Sequence, residues 1–189
     1  MNHPNGTRWD ERVDRLDVSC DGRIAMPCGG EDTACMIESE RDLFVHELRE
    51  LYHIERELEE LQAQLAESAT DEDLEEYYAA HSETTTDQIA RLEPIFEGLQ
   101  AEPGPVESSS LDGLRSEREA IVEDLMDPIL GDLTDAELGR AIERLEITKL
   151  ETLLTLADRM DLPGEIVDPL EQTKRDAEQG LEQLQRMPM

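Results

Sequence analysis

The sequence predicts an all-α protein, four long helices and a shorter fifth packed as a bundle. Three observations carry that expectation. Apolar residues recur at steps of three and four through residues 40–186, no β-type alternation stands out, and capping pairs open three of the periodic segments.

The first helix should start at Ser39, whose side chain can cap while Asp42 sits three residues on, and run to about Glu67. Its seam is Phe44, Leu48, Leu51, Glu55, Leu58, Gln62 and Leu65, a spacing that puts all of them on one face. Thr70 and Asp73 repeat the capping arrangement for a second helix reaching about Gly98, and Pro94 should kink it or end its regular part. The short link between the two permits only antiparallel neighbours. A Pro/Gly/Ser stretch from Ala101 to Ser109 then breaks the pattern. The third helix should span about Ser110 to Met126, stopping before Pro128. Thr134 with Glu137 opens a fourth, which ends near Met160 ahead of Leu162-Pro163-Gly164. The fifth should cover about Pro169 to Gln185, with Pro169 in its first turn.

The connector before the third helix can reach ~30 Å when extended, and a helix of that length measures ~25 Å. It can therefore run the length of the bundle and lay the third helix parallel to the second. That is the single long crossover of ferritin-like bundles, although a tight up-down-up-down turn stays open. The expected organisation is a flexible N-terminal arm over residues 1–38 and a ferritin-like four-helix bundle, with an additional C-terminal helix, over 39–186. Met36 stands directly before the onset of helical patterning and is a candidate initiator.

Composition narrows the partners. Seventeen basic residues against 48 acidic ones give a net charge of −31, which makes nucleic acid and anionic membranes poor partners. Lys149 and Lys174 are the only lysines, and every other basic residue is arginine. Abundant Asp and Glu with almost no lysine matches proteins adapted to concentrated KCl, where salt screens the repulsion. Aromatics at 3% would also suit a disordered acidic chain, but the long periodic leucine patterns argue against that. No apolar run approaches the ~20 residues of a membrane-spanning helix, and the N-terminus lacks the apolar core of a signal peptide, so a cytoplasmic protein is expected. Cys20, Cys28 and Cys35 lack the close pair typical of zinc sites and read as free thiols.

Glu55 carries the chemistry. A glutamate on a leucine face either turns outward or needs a compensating charge, because an unpaired buried carboxylate is very costly. His81 interrupts the second seam, Leu74, Tyr78, Thr85, Gln88, Leu92, Ile95, Leu99, at a depth comparable to Glu55 if the two helices are antiparallel. Glu117 lies in line with Leu114, Ile121 and Leu125, and could equally face out. Glu143 and Glu146 sit three apart amid Ile142, Leu145, Ile147 and Leu150. Taken one at a time, each is as well explained by a solvated rim residue or a hydrogen-bonded core histidine. Together they are the residue stock of a bundle-core carboxylate metal site.

The stretch Leu43-Phe-Val-His-Glu-Leu-Arg-Glu-Leu-Tyr-His-Ile-Glu55 resembles the opening motif of the YciE/YciF family, within the ferritin-like superfamily. So do His81-Ser-Glu-Thr-Thr with Gln88-Ile-Ala-Arg-Leu-Glu-Pro-Ile-Phe96, Leu111-Asp-Gly-Leu-Arg-Ser-Glu117, and Glu143-Arg-Leu-Glu146-Ile. The resemblance covers about residues 40–185. It implies Glu55, His81, Glu117, Glu143 and Glu146 as ligands of two metal ions, iron or manganese, and a stress-associated homodimer without a settled activity. Three positions depart from the family pattern: Thr84 and Thr173 stand where relatives often carry Glu, and Arg144 where they carry His. Facing inward, Arg144 could replace metal charge by pairing with carboxylates; facing outward, it is one more surface arginine. The leading expectation is a dinuclear metal site with ferroxidase-like or peroxide-detoxifying chemistry. The alternative is a metal-free structural or partner-binding bundle with no catalysis.

Overall fold

The computed structural model describes residues 37–187. The cysteines, Met36 and all but the last two residues of the expected arm lie outside the described residues. Five helices follow: α1 Glu40–Ser68, α2 Glu72–Gly98, α3 Ser109–Asp124, α4 Pro128–Arg159 and α5 Gly164–Arg186. Ser39 caps α1 as its sequence implies, accepting from the Asp42 amide at 3.1 Å while its hydroxyl donates to the Asp42 carboxylate at 2.7 Å.

Several boundaries differ from the sequence expectation. Asp71, not Thr70, caps α2 by accepting from the Leu74 amide at 3.1 Å. Thr70 is thereby released to bond Asp132 of α4, its amide donating at 2.9 Å and its hydroxyl pairing with the same carboxylate. Helix α2 continues through Pro94 because the buried Leu92, Ile95 and Phe96 hold its last turns on the core. Asp127 caps α4 and Pro128 takes its first turn, where a missing amide hydrogen costs nothing. Thr134 therefore lies inside α4, with its hydroxyl donating to the Leu130 carbonyl at 2.9 Å. Likewise α5 begins at Gly164, and Pro169 falls inside it, because Ile166 and Leu170 extend its buried stripe upstream.

Contacts along the helices fix the topology. Arg41 of α1 reaches the Leu99 carbonyl at 2.7 Å, and Gln62 accepts from Thr85 at 2.9 Å, so α1 and α2 are antiparallel. Lys149 on Glu47 and Arg159 on Glu40 make α1 and α4 antiparallel as well. Helix α5 packs on α2 and α4, and the four long helices close in the ring order α1–α2–α5–α4. Helices α2 and α4 thus point the same way, and the chain must return along the bundle between them.

That crossover contains α3 itself. Arg49 donates to the Glu102 carbonyl at 2.8 Å, Ser108 to Glu50 at 3.1 Å and Arg115 to Glu57 at 2.7 Å. Helix α3 therefore climbs alongside α1, antiparallel to α2 rather than parallel to it, and packs on α4 from outside. The all-α, five-helix ferritin-like bundle stands as expected, but the helix outside the four-helix core is α3 and not the C-terminal one. Amphipathicity explains the exchange. Helix α3 buries only Leu111, whereas α5 presents Ile166, Leu170, Thr173, Ala177, Gly180 and Leu184 in alternating steps of four and three.

The core falls into two apolar clusters. One gathers Phe44, Leu48, Leu51, Leu92, Phe96, Leu150 and Leu170 near the start of α1. The other gathers Ile54, Leu58, Leu65, Leu74, Ile142 and Leu184 toward its end. Between them lies a layer of buried polar side chains. Among the described residues, no helix is long and apolar enough to cross a membrane.

Candidate metal centre

The dividing layer is built from all four core helices: Glu55 on α1, His81, Thr85 and Gln88 on α2, Glu143 and Glu146 on α4, and Thr173 on α5. Every one of these is buried, Glu55 completely so. The seam spacing read from α1 and α2 puts them there, since each replaces a leucine-type position on the core face.

Two side chains converge on one oxygen of Glu143. Tyr77 donates its hydroxyl to Oε1 at 2.6 Å, and His81 Nε2 lies 3.0 Å from the same atom. The Tyr77 ring stacks on the imidazole, with centroids 5.2 Å apart and planes inclined by 18°, which fixes the imidazole's orientation. One turn along α4, Glu146 makes side-chain contact with both Glu143 and Glu55, so the acids form a chain from His81 to Glu55.

This chain lacks hydrogen-bond donors. Among the described residues, the buried side-chain atoms without a partner all belong to Glu55, Gln88, Glu143 and Glu146. Both carboxylate oxygens of Glu55 and of Glu146, and Oε2 of Glu143, are in that state. Native proteins rarely leave such groups unpaired, and a gathered set of them marks a place for a proton, a water or an ion. Burial pushes the Glu55 carboxyl up to about 8, with the neighbouring Glu143 charge adding to the rise. Burial, together with Glu55 and Glu143, holds Glu146 well above the carboxylate range. Burial beside Glu143 also raises the Tyr77 hydroxyl, which therefore stays a donor.

Helix α5 closes the layer through small residues. A Cβ at Gly180 would overlap Glu143 Oε1 and stand 2.9 Å from His81 Cε1, so glycine is what allows α5 to approach the His81–Glu143 pair. Beside it, Arg91 donates to Thr173 Oγ1 at 3.3 Å and pairs with Asp176 on the α2–α5 edge.

The structure brings Glu55, His81, Glu143 and Glu146 together and leaves Glu117 out. Glu117 is exposed on α3, because that helix runs outside the ring instead of contributing a core face. Arg144 is exposed too, its guanidinium donating to the Arg140 carbonyl at 2.9 Å, so it supplies no cation to the layer. Thr85 rather than Thr84 is the threonine facing the core, where it donates to Gln62. Gln88 stood in the predicted seam without being singled out, and its interruption of a leucine pattern was the signal. From the sequence, Tyr52, Tyr77 and Tyr78 are candidates for hydrogen bonding beside the site, with core packing the competing role; of the three, Tyr77 bonds a residue of the layer.

By type, the carboxylate and imidazole donors and the orphaned oxygens suit a metal ion, but no three of them have ligand atoms within 4.8 Å of one another. Among the described residues, the group of three donors whose ligand atoms all lie within 4.8 Å of one another is a different one, His46, Glu47 and Glu50. It already holds a cation, since Lys149 contacts Glu47 at 2.9 Å and Glu50 at 2.5 Å.

Residues 39–188 match a family model described as a domain of unknown function, DUF892. Protein YciF of Escherichia coli strain K12 is 28% identical over 120 residues, covering 63% of this chain and 72% of the relative. YcfI from Rhodopseudomonas palustris, provisionally described as a structural protein, superposes with a TM-score of 0.78 at 26% identity, covering 83% of this chain and 99% of that one. The crystal structure of the E. coli stress protein YciF superposes with a TM-score of 0.73 at 24% identity, covering 79% and 94%.

Two outcomes follow from the geometry. Gly180→Ala should cost ~1–3 kcal/mol by overpacking, whereas Gly113→Ala, with nothing within 4 Å of the added methyl, should be neutral or gain up to ~1 kcal/mol; equal urea midpoints for the two variants would contradict the close approach. In metal-free protein, a Glu55 carboxyl raised from 4.5 to about 8 binds its proton more tightly folded than unfolded. Its contribution is therefore complete below the unfolded value of 4.5 and declines as pH rises through about 8. Denaturation at stepped pH should show stability falling across that window, with a shallower slope in Glu55→Gln. A rise across it would overturn the assignment.

Proposed function

The chain belongs to the DUF892 family, and from that premise we propose that it is a stress-associated protein whose buried carboxylate layer binds iron or manganese. One observation carries the reading: the partnerless buried oxygens of Glu55, Glu143 and Glu146 lie in a single layer with His81. Oxygen ligands with one imidazole suit these metals better than a thiolate-seeking ion. Bound iron would supply one-electron chemistry toward oxygen or peroxide, the basis of a ferroxidase-like or detoxifying activity.

The surrounding residues define what the protein contributes. Glu55 and Glu146 would hold the ion from the adjacent, antiparallel helices α1 and α4, with Glu143 and His81 completing the donor set. The Tyr77 hydroxyl, donating to Glu143 Oε1, fixes which oxygen of that carboxylate stays available. Its stacking on His81 holds the ring in place. The apolar clusters on either side keep water from the layer. The same reading takes the protein as a cytoplasmic homodimer.

A second reading has its own support. The acids make a chain of pairwise contacts, and raised carboxyl pKa values let protons on Glu55 and Glu146 serve as the glue. The bundle would then be a metal-free structural or partner-binding module.

Anaerobic loading with Fe(II) or Mn(II) in concentrated KCl, followed by desalting, separates the two. The metal reading expects retained metal and, at ~100 times Kd, a stabilisation of ~2.7 kcal/mol, both lost in Glu55→Ala. A folded protein that retains no metal and gains no stability would favour the metal-free bundle.

A further inference from the structure

We infer that the corner between α3 and α4 is a face on which a second copy of this chain docks, and that salt concentration controls the contact. The inference rests on the homodimer reading above, to which it gives a contact face, and is independent of the metal reading.

Among the described residues, six large apolar side chains stand exposed, and five of them fall within residues 121–133: Ile121, Met126, Ile129, Leu130 and Leu133. Met126 is 97% exposed and Ile129 65%. Ile129, Leu130 and Leu133 lie on the first turns of α4, whose inward side is taken by the buried Asp132, Asp135 and Ala136. Arg118 binds Asp135 through both forked nitrogens, so α3 folds back on α4 and brings Ile121 beside the same turns. Helix α3 buries only Leu111, and an added Cβ at Gly113 would meet nothing within 4 Å, so another helix has room to approach it.

The size of the patch suits a second copy. Its five residues expose roughly 500 Å² of side-chain surface, toward the top of what a monomer normally shows. A standard interface takes ~800 Å² from each partner, about 65% of it apolar in homodimers, and the patch supplies about that apolar share. A two-fold pairing presents the same residues from both sides and closes the assembly at two copies.

The rim supplies the control. Glu117, Glu119, Glu123, Asp124 and Asp127 are exposed around the patch. Arg115 and Arg118, the only bases of α3, are already engaged with Glu57 and Asp135. Two copies meeting here set acid against acid, on chains of net charge −31. Raising KCl from ~0.1 M to ~1 M shortens the screening length from about 10 Å to about 3 Å, which weakens that repulsion and leaves the apolar contact to act. A basic helical partner would bind in the opposite sense, tightest in dilute salt.

The test is sedimentation of the full chain in dilute and in concentrated KCl. Wild-type protein should be a dimer in concentrated KCl, with a dissociation constant at least ~10-fold weaker in dilute KCl. Met126→Asp and Ile129→Asp each place a carboxylate at a position exposed in the single chain, so urea midpoints of the monomer should hold while the dimer is lost at both salt concentrations. Ile37→Asp, at the start of α1 and so at the other end of α4, should leave the dimer unchanged. A dimer indifferent to both patch variants would overturn the assigned face and leave the homodimer reading standing. A single chain at every salt concentration would overturn both, without touching the metal reading. A dimer that tightens in dilute KCl would overturn the salt control. A single chain that binds a cationic amphipathic helical peptide in dilute KCl, and loses it in Ile129→Asp, would give the face to a basic partner instead.

Discussion

Burying Glu55 beside Glu146 is the constraint around which the bundle is arranged. Ionised carboxylates inside a protein carry a penalty of several kcal/mol each, so two in contact demand protons, donors or a cation. The described residues supply few donors: Tyr77 donates to Glu143, His81 lies beside the same oxygen, and no donor outside the acids themselves reaches Glu55 or Glu146. The neighbouring apolar clusters, which include the fully buried Leu48, Leu58, Leu74 and Leu92, offset the cost by ordinary hydrophobic burial. Small residues on α5 let that helix close over the layer without displacing it, as Gly180 shows most clearly. A layer that costs stability and leaves its oxygens open is the ground on which the metal-binding proposal rests.

The few cations of this acidic chain are placed where carboxylates crowd at the edge of the core. Lys149 bridges Glu47 and Glu50 from α4 to α1, Arg118 binds Asp135 through both of its forked nitrogens, and Arg91 pairs with Asp176. Each links two different helices, and each is at least partly shielded from solvent. Exposed pairs such as Arg175 with Glu171 run along one helix and contribute little. A net charge of −31 leaves residual repulsion between surface carboxylates, which added salt weakens.

Much of this was legible in the sequence, and the failures share one cause. Both seams hold in full: every residue from Phe44 to Leu65 and from Leu74 to Leu99 in the two predicted stripes is buried. Four of the five predicted site residues share the layer for that reason, since a period of three and four fixes which face a residue takes. What periodicity cannot fix is which helices face one another. Helix α3 has a plausible stripe in Leu114, Glu117, Ile121 and Leu125, yet the direction of the crossover puts it outside the ring, and Glu117 with it. Helix α5 has no acid on its core face, so its part in the layer was invisible until its small residues were seen against His81 and Glu143. Local competition explains the shifted helix starts: where Asp71 and Asp127 could cap, they displaced Thr70 and Thr134.

The most direct measurement is anomalous diffraction from crystals of the full chain grown with Mn(II). The account predicts a peak inside the bundle, within bonding distance of carboxylate oxygens of Glu55 and Glu146, with Glu143 and His81 facing it. An ordered layer with no peak, its carboxyl groups bonded only to one another, would contradict it.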